Sequence, residues 1–387
     1  MGDSDRPAFT ARVLNGIGEV RAAEWDACAG HANPFVSHAF LAALEDSGSA
    51  APETGWAPHH IVVEDAAGRV QGAMPLYLKS HSQGEYVFDH GWADAFERAG
   101  GRYYPKFLCA VPFCPVTGPR LMVRPGPNAD TARRALIAAG VEVTTRAGVS
   151  SLHVNFLEET DWHALGEVGF LRRSDRQFHW TNDGYTDFDD FLASLASRKR
   201  KAVRRERREA LASGLTIETL TGNDLKTIHW DAFFECYLAT SEHKWGYPYL
   251  TRDFFDRLGA TMADKVVLML AADEGRTIAG AFNMLGADTL YGRNWGSLGY
   301  VPFLHFELCY YRAIDFAIAH GLARVEAGAQ GAHKIARGYL PVHTYSAHWI
   351  RHEGLRDAVE DYLGRERIAV DAEVEALANY APFRKCD

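Results

Sequence analysis

None of the six cysteines (Cys28, Cys109, Cys114, Cys236, Cys309, Cys386) stands in a CxxC pair, which removes the usual spacing of zinc ribbons and redox dithiols. Most sit in apolar surroundings, so reduced thiols packed in a core are expected rather than disulfides. The chain has no run of about 18 apolar residues, as a membrane helix needs. Its start, MGDSDRPAFTARV, lacks the charged and apolar regions of a secretory signal. A cytoplasmic location is the expectation. Positive charge is also scarce: 41 Lys and Arg against 50 Asp and Glu give a net charge of -9. A surface that coats nucleic acid or anionic membrane as a whole is thereby excluded, and any anion site must be local. No histidine pair has the spacing of HExxH, so no metal is expected, and no GxSxG elbow marks a covalent nucleophile.

What is present is enough apolar residue, 47% with 12% aromatic, to bury a large core over 387 residues, as one large domain or two. The chain repeats one order of elements. In the first half a helix around SHAFLAALEDSG precedes the strands HHIVVED and VQGAMPLYLKS; in the second, TRDFFDRLGATM precedes KVVLMLAAD and TIAGAFNMLGA. Phe40 and Phe254 are 214 positions apart, Gly68 and Gly275 are 207, and Gly72 and Gly280 are 208. Each half continues through another strand (KFLCAVPF; TLYGRNWG), a Gly/Pro loop, a long helix and a final strand (SSLHVNFL; ARVEAGA). This predicts duplication of one α/β unit.

Three stretches of the second half carry a resemblance: SEHKWGYPYLTRDFF, YGRNWGSLGYVPFLHFELCYYRAIDFAIAHG and EAGAQGAHKIARGYLPVHTYSAHW. They resemble a bacterial family of N-acyltransferases in the GNAT superfamily, described as related to peptidoglycan biosynthesis or recognition and similar to Fem-type cross-bridge enzymes. The resemblance spans nearly the whole chain. It implies an α/β (α+β) fold of tandem GNAT-like domains with mixed, largely antiparallel sheets. It further implies transfer of an acyl or aminoacyl group, from acyl-CoA (acetyl-CoA) or aminoacyl-tRNA, to an amine. The expected boundaries are 1–183 for a degenerate first domain, 184–214 for a connecting basic helix and 215–387 for the active domain.

The segment GRNWGSLGYVP leads from a strand into an amphipathic helix, and Gly296 and Gly299 are candidates for a phosphate-binding turn at its start. The matching loop PFCPVTGPR is proline-rich and poor in amide donors. The densest polar cluster is EAGAQGAHKIARGYLP. Glu326 ends a strand there, followed by Gln330, His333, Lys334 and Arg337. An amine acceptor must lose a proton before it attacks, so Glu326 or His333 is the candidate base, and Lys334 or Arg337 the candidate oxyanion donor. Lys334 also occupies the place of a lysine associated with catalysis in Fem-like enzymes. Acceptor-binding candidates are His243, Lys244, Trp245 and Tyr249 in SEHKWGYPYL, together with Arg293 and Trp295 on one face of the preceding strand.

The stretch ASRKRKAVRRERREA holds eight basic residues. Helical spacing extends a seam from Phe191, Leu192 and Leu195 through Val203 and Ala210, and sets Arg200, Arg204 and Arg207 along a basic flank. The flank is a phosphate clamp for the donor, a contact patch for tRNA, or a solvated face. The absence of interleaved aromatics and the acidic total charge favour the compact donor over nucleic acid. A non-catalytic binding protein for a peptidoglycan precursor and an RNA-binding accessory factor remain the alternatives to a transferase.

Overall fold

A computed structural model describes residues 9–212, 214–245, 247–328 and 331–384, without the side chains of 242–245. The chain divides into two compact units, one made of residues 1–175 and 344–370, the other of 176–343 and 371–387. The expected boundaries run in chain order, whereas here the segment 344–370 returns to the first unit.

The first unit holds two sheets. One is antiparallel, in the order β1 (Thr10–Leu14), β3 (His60–Glu64), β4 (Val70–Met74), β7 (Met122–Val123). The other contains β2 (Trp56–Pro58), β5 (Leu76–Lys79), β6 (Lys106–Cys109), β8 (Ser151–Leu157) and the 345–350 part of β15 (Leu340–Ile350). All its pairings are antiparallel except β6 with β8. The stretch VQGAMPLYLKS, expected as one strand, is divided at Pro75, and its halves enter different sheets. Proline carries no amide hydrogen for a ladder, so the strand breaks there. The helix Ala129–Ala147 buries Leu136 and Ile137 against Ile61, Val63 and Met74.

In the second unit the sheet order is β10 (Thr216–Thr221), β11 (Val266–Asp273), β12 (Arg276–Leu285), β13 (Thr289–Ser297), β14 (Arg324–Glu326) and the 176–181 part of β9 (Leu171–Thr181). Only β13 and β14 run parallel. Alternate residues of β11 serve opposite faces, as a strand's two-residue period requires. Val267, Met269 and Ala271 pack with Leu308 and Ile314 of the helical segment 304–319. On the other face Phe282 packs with Trp230 and Phe233 of the helix Thr227–Trp245.

The repeat is visible at its glycines. A Cβ on Gly72 would lie 2.9 Å from Leu136, and one on Gly280 would lie 2.8 Å from Phe233, so in each hairpin glycine lets a helix side chain reach the sheet. The basic segment, expected as one helix from Phe188, forms two: Phe188–Ser194 and Ser197–Leu211. Between them Leu195 bridges to Phe383, and the Ala196 amide donates to the Pro382 carbonyl at 2.8 Å. The backbone leaves the helical ladder to make these bonds.

Candidate functional site

The site grows from the parting of two parallel strands. β13 and β14 are in register at Thr289–Arg324, Leu290–Val325 and Tyr291–Glu326. β14 ends there, while β13 continues to Ser297. A bulge opposite Phe282 and Asn283 turns β13 where the two separate. A cavity of about 110 Å³ opens at this point, lined by Asn283, Gly292, Arg293, Trp295, Cys309, Tyr310 and Ala327 among others. Its helical wall contains a π-helical turn, Glu307–Tyr311, which supplies Cys309 and Tyr310.

Glu326 stands at the last shared rung. It is buried, its Oε2 has no hydrogen-bond partner, and burial raises its pKa to about 7 against the pull of Arg324 and Arg293. The neighbouring imidazole, His179 on β9, has its Nε2 3.8 Å from that oxygen. Burial, reinforced by Arg324 and Lys334, lowers the His179 pKa to about 3, so the ring is neutral and the contact is not an ion pair near pH 7. A carboxyl that titrates near neutrality and has an oxygen to spare is suited to take a proton from an ammonium.

A single 3-10 turn, Ala332–Arg337, presents the three basic candidates in different directions. Lys334 is buried, its pKa is lowered by burial to about 8, and its Nζ donates to the Gly328 carbonyl at 2.8 Å. His333 pairs through Nε2 with the Tyr310 hydroxyl at 3.0 Å, which joins it to the cavity wall. Burial, with Arg337 and Lys334 nearby, lowers its pKa. Arg337, expected as an oxyanion donor, is held by several protein groups. Its guanidinium donates to Glu206 at 2.9 Å, the Tyr311 hydroxyl at 3.1 Å and the His333 carbonyl at 2.8 Å, and it covers the Phe306 ring. These three hydrogen bonds, of the five its guanidinium can donate, anchor the turn.

Arg207 and Arg204 are likewise committed to carboxylates. Arg207 bonds Glu307 through Nε and Nη2, each at 3.0 Å, and Asp315 at 2.6 Å, and Glu307 is wholly buried. A phosphate would have to displace that carboxylate. Arg204 pairs at the surface with Asp189 at 2.8 Å. Arg200 is half-buried on the same helix. At the start of the helix Arg198 and Lys199 line a cavity of about 330 Å³ with Glu206 and Arg337.

Gly296 also has a packing role. A Cβ there would sit 2.3 Å from the Cys236 carbonyl carbon, so glycine is required by the helix backbone laid against β13. Gly299 is exposed beyond the strand end. Arg293 and Trp295 both line the cavity, Trp295 edge-on to His305 at 5.2 Å. The Tyr249 amide donates to the hydroxyl of Tyr237, a group whose titration also feels Arg293. The side chains of His243, Lys244 and Trp245, and Gln330 as a whole, lie outside the described residues.

Sequence reading missed His179, Asn283, Cys309 and Tyr310, none of which is set in a motif. It also missed a charged cluster buried in the first unit. There Lys106 donates to Ser82 and Glu85 at 2.8 Å and pairs with Asp89, opposite Lys79 on the next strand. The polar run KSHSQGEYVFDH between two strands was the available signal. Among the described residues no group of three or more His, Cys, Asp or Glu side chains is placed to hold a metal, and no helix is long and apolar enough to cross a membrane.

The profile of the FemAB-like family, described as peptidoglycan biosynthesis/recognition, matches residues 16–385. No curated protein matches the sequence. Among solved structures, FemX superposes with a TM-score of 0.53 at 14% identity, covering 91% of this chain and 100% of FemX. The C-terminal domain of a putative lysylphosphatidylglycerol synthetase from Agrobacterium fabrum gives 0.55 at 9% identity, covering 88% of this chain and 95% of its own. L-PGS from Bacillus licheniformis gives 0.52 at 9% identity, covering 86% and 98%. The fold is thus shared with FemX and with these two structures.

Proposed function

Because the chain belongs to the FemAB-like family, we propose that it is a transferase moving an acyl or aminoacyl group to an amine, with a peptidoglycan precursor or a related metabolite as acceptor. The observation that carries this reading is Glu326: a buried carboxyl with one unpartnered oxygen, titrating near 7, at the point where β13 and β14 separate. The donor's carbonyl enters the gap. Glu326 takes the proton of the attacking ammonium, directly or through a water, and the free amine adds to the carbonyl. Lys334, whose charge is felt by the His179 ring beside Glu326, supplies positive charge as the tetrahedral oxyanion forms. As the intermediate collapses, the bond from the carbonyl carbon to the donor sulfur or ribose oxygen breaks, and that leaving atom takes the second proton, released by the adduct nitrogen as the amide forms.

Arg198 and Lys199 support a donor that carries phosphate, either coenzyme A or the acceptor end of a tRNA. The assay is product formation, followed by mass spectrometry, from acetyl-CoA or aminoacyl-tRNA with an amine-bearing peptidoglycan precursor. Glu326→Gln should lower the rate by about 10²-fold or more. Turnover undiminished in that variant would remove Glu326 from the mechanism. A compact donor should bind with shallow salt dependence, whereas tRNA contacting six or more phosphates loses about 10³-fold in affinity between 50 and 200 mM salt. The alternative reading is recognition of the precursor without turnover. Precursor binding with no product from either donor would establish it in place of catalysis.

A further inference from the structure

In the first unit a cavity of about 360 Å³ opens between Arg102, Arg351 and His352, with Phe96 on one side and Ser150 at its floor. It is not a copy of the cleft in the second unit. That cleft lies where the parallel strands β13 and β14 end, whereas this cavity lies where β6 and β8 begin, beside Pro105 and Ser150. No carboxylate lines it. The same unit's Arg12, Arg69, Arg124 and Arg173 each hold an acidic partner. Arg102 and Arg351 have none among the described residues. Two guanidinium groups without a carboxylate partner at one cavity, in a chain of net charge -9, make a local positive field that attracts an anion from solution.

The third group is an oriented donor. His352 caps the helix Glu353–Ala378: its Nδ1 accepts from the Leu355 amide at 3.2 Å. A ring nitrogen that accepts carries no proton, so the proton is on Nε2, and His352 offers an N–H at the cavity even when neutral. Its ring also lies against Phe96, with centroids 5.1 Å apart. The floor is fixed by hydrogen bonds. Ser150, 8% exposed, bonds Ser151 at 3.0 Å, Ser151 bonds His153 at 2.8 Å, and Tyr103 reaches both His153, at 3.3 Å, and Asp89, at 2.6 Å. The pocket is thus built on the buried cluster around Lys106.

We propose that this pocket binds the phosphate group of a small ligand, held by the forks of Arg102 and Arg351 and by Nε2–H of His352, with the ligand's apolar part against Phe96. A phosphate near neutral pH carries between one and two negative charges and three acceptor oxygens, which matches two guanidinium groups and one imidazole donor; a carboxylate offers one charge and two oxygens.

Titration of the full-length protein with inorganic phosphate and pyrophosphate at low salt, read by calorimetry, tests this. Saturable binding is expected, weakened about tenfold or more by Arg102→Ala with Arg351→Ala. His352→Asn keeps a capping side chain and loses the Nε2 donor, and should weaken binding severalfold. Because both arginines are exposed, these variants should keep the wild-type circular dichroism; the Arg102→Lys, Arg351→Lys pair, which keeps charge but not the fork, guards against a folding artefact and should also bind more weakly. Absence of saturable binding would overturn the proposal. So would binding indifferent to Arg102 and Arg351, acetate binding as tightly as phosphate, or binding lost in Arg198→Ala with Lys199→Ala instead, which would assign the anion to the other unit. Since the second unit is untouched by the Arg102 and Arg351 changes, transferase turnover reports on the proposed function separately.

Discussion

Glu326→Gln has a consequence for stability that can be worked from its surroundings. Burial raises the folded-state pKa from an ordinary 4.5 to about 7. Below pH 4.5 the carboxyl is protonated in both states, and it imposes no pH-dependent cost. As pH rises from 4.5 to about 7, the unfolded chain releases the proton while the folded chain keeps it, so wild-type stability falls by about 1.4 kcal/mol per pH unit and levels off above 7. The loss amounts to about 3 kcal/mol. Glutamine is nearly isosteric and does not ionise, so the variant escapes it. Urea midpoints of both proteins between pH 4.5 and 8.5, followed by tryptophan fluorescence, should show the variant gaining on wild type as pH rises, with most of the gain complete by pH 7.5. Groups elsewhere titrate equally in both proteins and cancel in the difference. Parallel midpoints across that range would mean that Glu326 is ionised in the folded state at ordinary pH, and its role as a base with a tuned pKa would fall with that result.

Gly296→Ala forces a methyl against the Cys236 backbone at 2.3 Å and should cost about 1–3 kcal/mol, seen as a Tm several degrees lower. An unchanged Tm would refute the packing role. Arg207→Met leaves the buried Glu307 with Arg312 as its remaining partner and should cost about 3 kcal/mol, while Arg204→Ala at the surface should change stability by less than about 0.5 kcal/mol. Equal effects of the two in thermal unfolding would contradict the distinction. Lys334→Ala should lower transferase turnover by about 10²-fold or more, and turnover that survives would exclude that lysine.

Much of the fold was legible because it rests on short-range pattern. The apolar run in KVVLMLAAD and the turn EGR predict the β11–β12 hairpin, and the long amphipathic helix after the glycine loop forms where its spacing places it. The candidate site was legible only along the chain. Glu326 was found because it ends a strand, but its partner His179 lies far back on β9, and no local signal connects them. The arginines show the same limit: helical spacing put Arg204 and Arg207 on one flank, yet it could not show that Glu307 and Asp315, about a hundred positions later, would neutralise Arg207. Pro75 shows a local signal overlooked, for a proline within an apolar run breaks the ladder wherever the chain goes next.

The return of residues 344–370 to the first unit bears on how the protein is made. During synthesis β8 emerges with all seven of its residues destined for burial, and its neighbour in β15 follows almost two hundred positions later. Until the ribosome has delivered that strand, one side of β8 is a bare edge of the kind that recruits other chains. A fragment cut after the first half should therefore aggregate rather than fold, and expression of the first unit by itself requires 344–370 to be spliced back beside β8.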